Sequence, residues 1–181
     1  MSDPGQLPLR APHAPATDLH GSGAVASPGA ALDALAMACL ARELAEALAG
    51  ARVQQVTQLD RLTVALECYR GERRWLILSA DPSRVAVRLS AEKARRGGGE
   101  ATPLTLALRA HVVGARLVLV ARPEGERILH LGFDAAEPLS LVCEPIGRLA
   151  NLVLVRATAD APEGGGILAV ARPVTGAMSR A

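Results

Sequence analysis

The hydrophobic positions of the chain first follow a helical period. From about residue 31 to 49, apolar side chains recur every three or four residues, while Arg42, Glu43 and Glu46 fall on the other side, as in an amphipathic helix. A second helix is predicted to begin at Thr102-Pro103, which suits an N-cap followed by proline, and to end at Gly114. The side chains predicted to share one face are Leu32, Leu35, Cys39, Leu40, Leu44 and Leu48 in the first helix and Leu104, Ala107, Leu108 and His111 in the second.

Elsewhere the apolar residues occupy short runs, several of them alternating, between turn signals, which predicts strands. The turn signals include Asp81-Pro82-Ser83 and Pro123-Glu124-Gly125. We therefore expect an α+β fold of antiparallel sheets with two helices. The predicted strands are 53–58, 62–68, 75–79, 85–89, 115–121, 126–133, 139–144, 151–156 and 166–171.

A weak internal repeat accompanies these elements. The first helix leads into Gly50-Ala51-Arg52-Val53 and the second into Gly114-Ala115-Arg116-Leu117. Each is followed by a predicted strand, an acid-arginine pair and a second strand. The pairs are Asp60-Arg61 and Glu126-Arg127. The pattern indicates a helix-plus-hairpin unit used twice, with chance similarity as the alternative, and two copies are too few for a solenoid.

Composition divides the chain into a tail and one domain. Residues 1–30 are rich in Pro, Gly, Ala and Ser without an apolar period, which predicts a disordered N-terminal tail, and residues 31–181 form the domain. The three cysteines, Cys39, Cys68 and Cys143, lie in apolar runs, and we expect them to be buried, inert thiols. An odd number of cysteines without a secretory signal favours a cytoplasmic protein, and no apolar run is long enough to span a membrane.

The sequence lacks the motifs of an enzyme. We find no nucleophile-base signature, and Gly97-Gly98-Gly99 is not followed by the Lys-Ser/Thr of a phosphate loop. The CxxC and HxxxH spacings of metal sites do not occur. We therefore expect no catalytic residues, no metal and no cofactor.

The arginines are the remaining candidates for chemistry. Arg pairs bidentately with phosphate, so a set of arginines spread over the second half of the chain suits RNA backbone contacts. Ordinary surface charge is the alternative, since the formal net charge is only +2. With one Phe, one Tyr and one Trp in the whole chain, base stacking has almost no platform, so RNA contacts should be to backbone and shape.

Six segments, in order, resemble the N-terminal domain of the NFACT family of fibronectin-binding-protein-A-like ribosome quality control factors. The match begins at the first helix, which leads into Gly50-Ala51-Arg52-Val53. No single motif identifies the family, but the order and spacing of the six segments do. The other five segments are Leu76-Ile77-Leu78-Ser79-Ala80-Asp81-Pro82, Leu89-Ser90-Ala91-Glu92-Lys93, Leu108-Arg109-Ala110-His111-Val112-Val113-Gly114-Ala115-Arg116, Glu126-Arg127-Ile128-Leu129 and Glu144-Pro145-Ile146-Gly147-Arg148-Leu149-Ala150-Asn151.

This resemblance implies a fold and a function. The family's N-terminal domain is similar to that of formamidopyrimidine-DNA glycosylases, although base excision does not follow from the likeness. Its members bind obstructed large ribosomal subunits through rRNA and recruit tRNA, so that a C-terminal tail is added to the stalled nascent chain. The expected partners are therefore the large subunit and tRNA, with no membrane and no small-molecule substrate. The alternative is a non-catalytic, adhesin-like protein-interaction fragment. The resemblance also implies that the domain is incomplete at its C-terminus.

The resemblance assigns the candidate RNA-binding residues. Glu126 and Arg127 match the family's tRNA-handling pair, with Glu for Asp, and Arg109, Arg148 and Asn151 match other polar motif positions. We expect Arg127 to contact the tRNA backbone and Glu126 to orient a basic group or a ribose hydroxyl. A turn-stabilising surface pair is the alternative. The family's Lys, His and Ser are replaced by Ala110, Leu149 and Ala150, so tRNA handling is expected to differ from the usual pattern.

Overall fold

The computed structural model describes residues 34–157 and 165–173, and the predicted N-terminal tail lies outside this range. The described chain forms helices α1 (Ala34–Leu48) and α2 (Pro103–His111) and a short 3-10 helix, Gly147–Leu149. The strands are β1 (Arg52–Gln58), β2 (Thr63–Arg70), β3 (Glu72–Ser79), β4 (Ala86–Ser90), β5 (Arg116–Ala121), β6 (Leu129–Asp134), β7 (Leu139–Glu144), β8 (Asn151–Arg156) and β9 (Ile167–Val170).

The strands form one antiparallel sheet in the order β4-β3-β2-β1-β5-β6-β7-β8-β9. The predicted α+β class with antiparallel strands and two helices is confirmed, although the strands make one continuous sheet in place of separate ones. The main core joins apolar residues of both helices and of the sheet, with Phe133 the largest of its fully buried side chains. Within the described residues, no helix is long and apolar enough to cross a membrane.

The buried face of α1 differs from the prediction. The buried residues are Met37, Ala41, Leu44 and Leu48, whereas Leu35 is 74% exposed. Steps of four, three and four residues keep these side chains on one side of a helix. The first residues of the predicted face lie on the neighbouring side of the helix, so the prediction was wrong for them. A helix so rich in Ala and Leu has two overlapping apolar stripes.

The cysteines divide between the core and the surface. Cys68 and Cys143 are buried, and burial, with a smaller contribution from the neighbouring carboxylates, raises the pKa of each thiol to about 12. A thiol in that state is not a nucleophile at neutral pH, as predicted. Cys39 is exposed, so its predicted burial was wrong, because it lies on the outer side of α1.

The internal repeat is confirmed and is larger than a helix and a hairpin. Each unit is a helix followed by four strands, β1–β4 or β5–β8, with β9 added at one edge. The two units meet at β1 and β5, where Arg52 lies opposite Arg116. Gly50 N donates to Leu117 O at 2.7 Å and Gly114 N to Val53 O at 2.8 Å, so equivalent residues exchange equivalent bonds.

These bonds describe a local two-fold relation between the units. Each helix also contacts the first strand of the other unit, α1 with β5 and α2 with β1. Gly50 and Gly114 have φ angles of 78° and 89°, a left-handed conformation that glycine adopts at little cost. The repeated Gly-Ala-Arg motif is thus the centre of the fold.

The segment 91–102 covers the other face of the first unit. Ala94 packs against Trp75, Ile77 and Ala65 in a second, smaller cluster. The buried amide of Gln58 anchors the end of the segment: Nε2 donates to Glu100 O at 2.9 Å, and Oε1 accepts from Thr102 N at 2.8 Å. This segment is therefore held against the sheet.

Candidate nucleic-acid interface

Three connecting segments lie at one end of the sheet. The register pairs Ala121 with His130, Leu129 with Cys143 and Glu144 with Asn151, which places the loops after β5 and after β7 at the same end. The residues after β9 reach the same place, since Ala171 N donates to Leu152 O at 2.8 Å. Neighbouring strands are about 4.8 Å apart, so these loops share one surface. We call residues 122–128, 145–150 and 171–173 the loop surface.

Arg122 shapes the first of these loops. Glu126 N donates to Pro123 O at 3.2 Å, and Gly125 has a φ of 77°, which is typical of a tight turn that requires glycine. The Arg122 guanidinium then closes the turn from one side, with Nη1 donating to Pro123 O at 3.0 Å and to Glu126 O at 2.8 Å. The loop is therefore ordered by its own arginine.

Glu126 and Arg127 lie in this loop and not at the start of a strand. The predicted strand 126–133 begins only at Leu129. The reason is that the carbonyl of Glu126, which a neighbouring strand would need, is already bonded to Arg122. Strand alternation therefore does not set the directions of the two side chains, and the pair lies in the loop directly after the turn.

Arg172 and Asn151 shape the other two segments together. Nη1 of Arg172 donates to Arg148 O at 2.8 Å and to Ala150 O at 3.0 Å. Asn151 Oδ1 accepts from Arg172 N at 3.0 Å and from Leu152 N at 2.9 Å, while Nδ2 donates to Arg172 O at 3.1 Å. Asn151 is only 4% exposed. Its amide thus positions Arg172, and Arg172 holds the short 3-10 helix that carries Arg148.

Two guanidinium groups of the loop surface have no partner among the described residues. Arg148 is exposed and Arg127 half-buried, and neither side chain forms a hydrogen bond or ion pair within the described residues. The loop surface contains four arginines, Arg122, Arg127, Arg148 and Arg172, against two acidic residues, Glu124 and Glu126. Its charge is therefore positive, which suits phosphate groups.

Arg109, the fifth predicted residue, lies elsewhere. It is on α2, and its Nε donates to the carbonyl of Val56 in β1 at 3.2 Å. No described contact joins it to the loop surface. The structure therefore brings together Glu126, Arg127, Arg148 and Asn151 at one end of the sheet and leaves Arg109 outside the group.

Arg122 and Arg172, the two arginines that hold the loops, were not among the site residues assigned from the family motifs. Both belong to the same tripeptide, Ala121-Arg122-Pro123 and Ala171-Arg172-Pro173, directly after a strand. Proline ends the strand because it has no N–H for the ladder, and the preceding arginine is free to bond carbonyls. The repeated tripeptide was the available signal.

Comparison with known families agrees with this architecture. A model described as the NFACT N-terminal and middle domains matches residues 33–181. The chain belongs to the NFACT family. The family resemblance identified from the six sequence segments is confirmed by this match, which covers both helices and all nine strands of the sheet.

Solved structures similar to this NFACT chain share its fold. The N-terminal part of the fibronectin/fibrinogen-binding protein of Streptococcus suis has a TM-score of 0.65 at 22% identity, covering 75% of this chain and 51% of that one. The N-terminal domain of fibronectin-binding protein PavA from Streptococcus pneumoniae has a TM-score of 0.70 at 22% identity, covering 80% and 55%. The fibrinogen-binding protein of Staphylococcus aureus has a TM-score of 0.66 at 18% identity, covering 81% and 52%.

These matches cover only part of each solved structure. The chain spans about half the length of each of the three solved structures. No curated protein matches the chain.

Among the described residues, no group of three or more His, Cys, Asp or Glu side chains is arranged to hold a metal ion.

Proposed function

We propose that the loop surface binds RNA, and that the protein uses it to bind tRNA and the large ribosomal subunit in ribosome quality control. In this proposal the domain acts in the cytoplasm and supports the C-terminal tailing of stalled nascent chains. It binds and positions RNA without catalysing a reaction, and it needs no cofactor or small-molecule substrate. We also propose that the fold resembles the N-terminal domain of formamidopyrimidine-DNA glycosylases.

One observation carries the proposal. Arg127 and Arg148, from two separate family motifs, lie at one end of the sheet on loops that Arg122 and Arg172 hold in place. Both guanidinium groups lack a partner among the described residues. A free guanidinium on a pre-ordered loop loses little conformational freedom when it binds a phosphate, so it binds more tightly than one on a mobile loop. Glu126 remains the expected partner of a ribose hydroxyl or a basic group.

A second candidate is a protein-interaction domain of the adhesin type. The three similar structures are named for binding fibronectin or fibrinogen. Exposed apolar side chains such as Leu149 and Ile167, 43% and 63% accessible, would suit a protein partner. The two functions differ in salt dependence, because only phosphate contacts release condensed counterions.

The proposal predicts that Arg127→Ala and Arg148→Ala each weaken tRNA binding about tenfold, the loss expected when a charge-assisted hydrogen bond is removed. The slope of log affinity against log salt should become shallower by about one unit for each variant. Fluorescence anisotropy of labelled tRNA, titrated with the full chain, measures both quantities.

The chain supplies a matched control. Arg61 occupies the equivalent position of the first unit, is exposed, and has no partner among the described residues. Arg61→Ala should leave tRNA affinity and salt slope unchanged. If Arg127→Ala and Arg148→Ala also bind like the wild type while keeping its melting temperature, the loop surface does not bind tRNA.

A further inference from the structure

A cleft of about 420 Å³ lies where the two units of the fold meet. Its arginines come from three strands: Arg52 opens β1, Arg70 ends β2 and Arg116 opens β5. The other described lining residues are Gly50, Gln54, Tyr69 and Gly71. The described lining thus contains three guanidinium groups and no carboxylate.

Two of the three arginines are held in place by uncharged partners. Arg70 Nη1 donates to Glu46 O at 3.2 Å, and Arg116 Nη1 donates to Gly50 O at 3.0 Å. These carbonyls belong to the C-terminal end of α1, so the two side chains are oriented there and also interact favourably with the helix dipole. Each guanidinium keeps further N–H groups for a ligand.

Arg52, unlike Arg70 and Arg116, does not bond a carbonyl at the C-terminal end of α1. Its side chain is exposed and has no partner among the described residues. The register places it between Tyr69 on β2 and Arg116 on β5. Like charges facing each other across a strand pair destabilise a sheet unless an anion lies between them.

The acidic residues around the cleft do not neutralise it. Glu72 is paired with Arg74 at 2.6 Å. Asp134 lies opposite Arg116 on β6 but forms no ion pair with a described residue. The cleft therefore keeps an excess of positive charge.

Tyr69 is the second, independent feature of the cleft. It is the chain's single tyrosine and is 45% exposed, while the single Trp and Phe, Trp75 and Phe133, are each only 2% exposed. Among the Phe, Tyr and Trp side chains, the ring of Tyr69 is thus the one that a base can stack on. It lies directly beside the arginines, across the strand pair from Arg52.

We propose that this cleft binds single-stranded RNA, with a phosphate between Arg52, Arg70 and Arg116 and a neighbouring base stacked on Tyr69. A phosphate has oxygens enough to accept from several guanidinium groups at once, and base stacking on an aromatic ring tolerates any sequence. The proposal rests on the proposed function only in its choice of RNA as the ligand.

The cleft and the loop surface are separate sites. Arg116 begins β5, and Arg122 follows its last residue, so at about 3.3 Å per residue the two lie about 20 Å apart. A single RNA of tRNA size can reach both, whereas a short oligonucleotide reaches only one. This difference allows each site to be tested alone.

The test titrates the full chain with a short fluorescent oligouridylate and with an abasic oligonucleotide of equal length. Arg52→Ala is expected to weaken binding of both probes about tenfold and to make the salt slope shallower by about one unit. Tyr69→Leu is expected to weaken the oligouridylate at least fivefold and to leave the abasic probe unchanged. Arg61→Ala is the control and should bind both probes like the wild type.

The outcomes separate this proposal from the proposed function. Three results would each exclude the cleft as an RNA site. The wild type does not bind the oligouridylate, or Arg52→Ala does not change that binding. The third is that Tyr69→Leu weakens binding of the abasic probe as well. Arg127→Ala should not change oligouridylate binding. If neither Arg127→Ala nor Arg148→Ala weakens tRNA binding while Arg52→Ala still weakens the oligouridylate, the loop surface is excluded and the cleft stands.

Discussion

Replacing Gly97 by alanine is expected to destabilise the domain by about 3 kcal/mol, the upper part of the usual range for overpacking. A Cβ atom at Gly97 would lie 1.6 Å from the carbonyl oxygen of Leu59. That oxygen belongs to the backbone at the end of β1, so it cannot swing away as a flexible side chain would. The Gly97 N–H also donates to Gln58 O at 2.9 Å, which fixes the close approach.

Thermal unfolding of Gly97→Ala should show a melting temperature lower by about 6–12 °C, the shift expected for this loss in a chain of this size. Gly98→Ala is the matched control, because a Cβ there meets nothing within 4 Å and no positive φ is involved. This control should be neutral or slightly stabilised, since alanine reduces the freedom of the unfolded chain. Equal melting temperatures for the two variants would contradict the packing of the segment 91–102 on β1.

Asn151→Ala is expected to cost about 2–3 kcal/mol and to release the segment after β9. The substitution leaves two N–H groups, of Leu152 and Arg172, and the carbonyl of Arg172 without their partner. Buried polar groups that lose a partner each carry a penalty of about 1–3 kcal/mol, which is reduced where water can enter. Chemical denaturation measures the loss of stability.

The control for Asn151→Ala is Arg148→Ala. Arg148 is exposed and its side chain has no partner among the described residues, so its removal should change stability by less than about 0.5 kcal/mol. Asn151→Asp should be intermediate, because it keeps the oxygen that accepts two bonds and loses only the donor. An Asn151→Ala variant as stable as the wild type would show that Asn151 does not organise the loop surface.

Most of the fold follows from local sequence signals. The nine strands and two helices were predicted because turn residues separate them and because each apolar run has one dominant period. Gly50 and Gly114 marked the helix ends, and the repeated Gly-Ala-Arg motif revealed the two units. The face of α1 was partly mispredicted at Leu35 and Cys39, since a helix of mostly Ala and Leu does not define its own buried side; the sheet selects it.

The candidate site was less predictable from the sequence. The family motifs identified Arg127 and Arg148, which the structure places at one end of the sheet. Nothing local showed that Asn151 is buried and bonded to Arg172, because those two residues are far apart in sequence and meet only in the folded sheet. The same is true of Arg109, whose partner is the carbonyl of Val56. Side-chain bonds to distant backbone depend on the assembled fold.

The central claim is that this domain binds RNA through arginine-phosphate contacts, and a salt titration of wild-type binding to tRNA tests it most directly. With at least two phosphate contacts, from Arg127 and Arg148, log affinity should fall against log salt with a slope of about −1.5 or steeper. Between about 50 and 200 mM salt, affinity should therefore drop about eightfold or more. Absent tRNA binding, or an affinity that does not change with salt, would contradict the account.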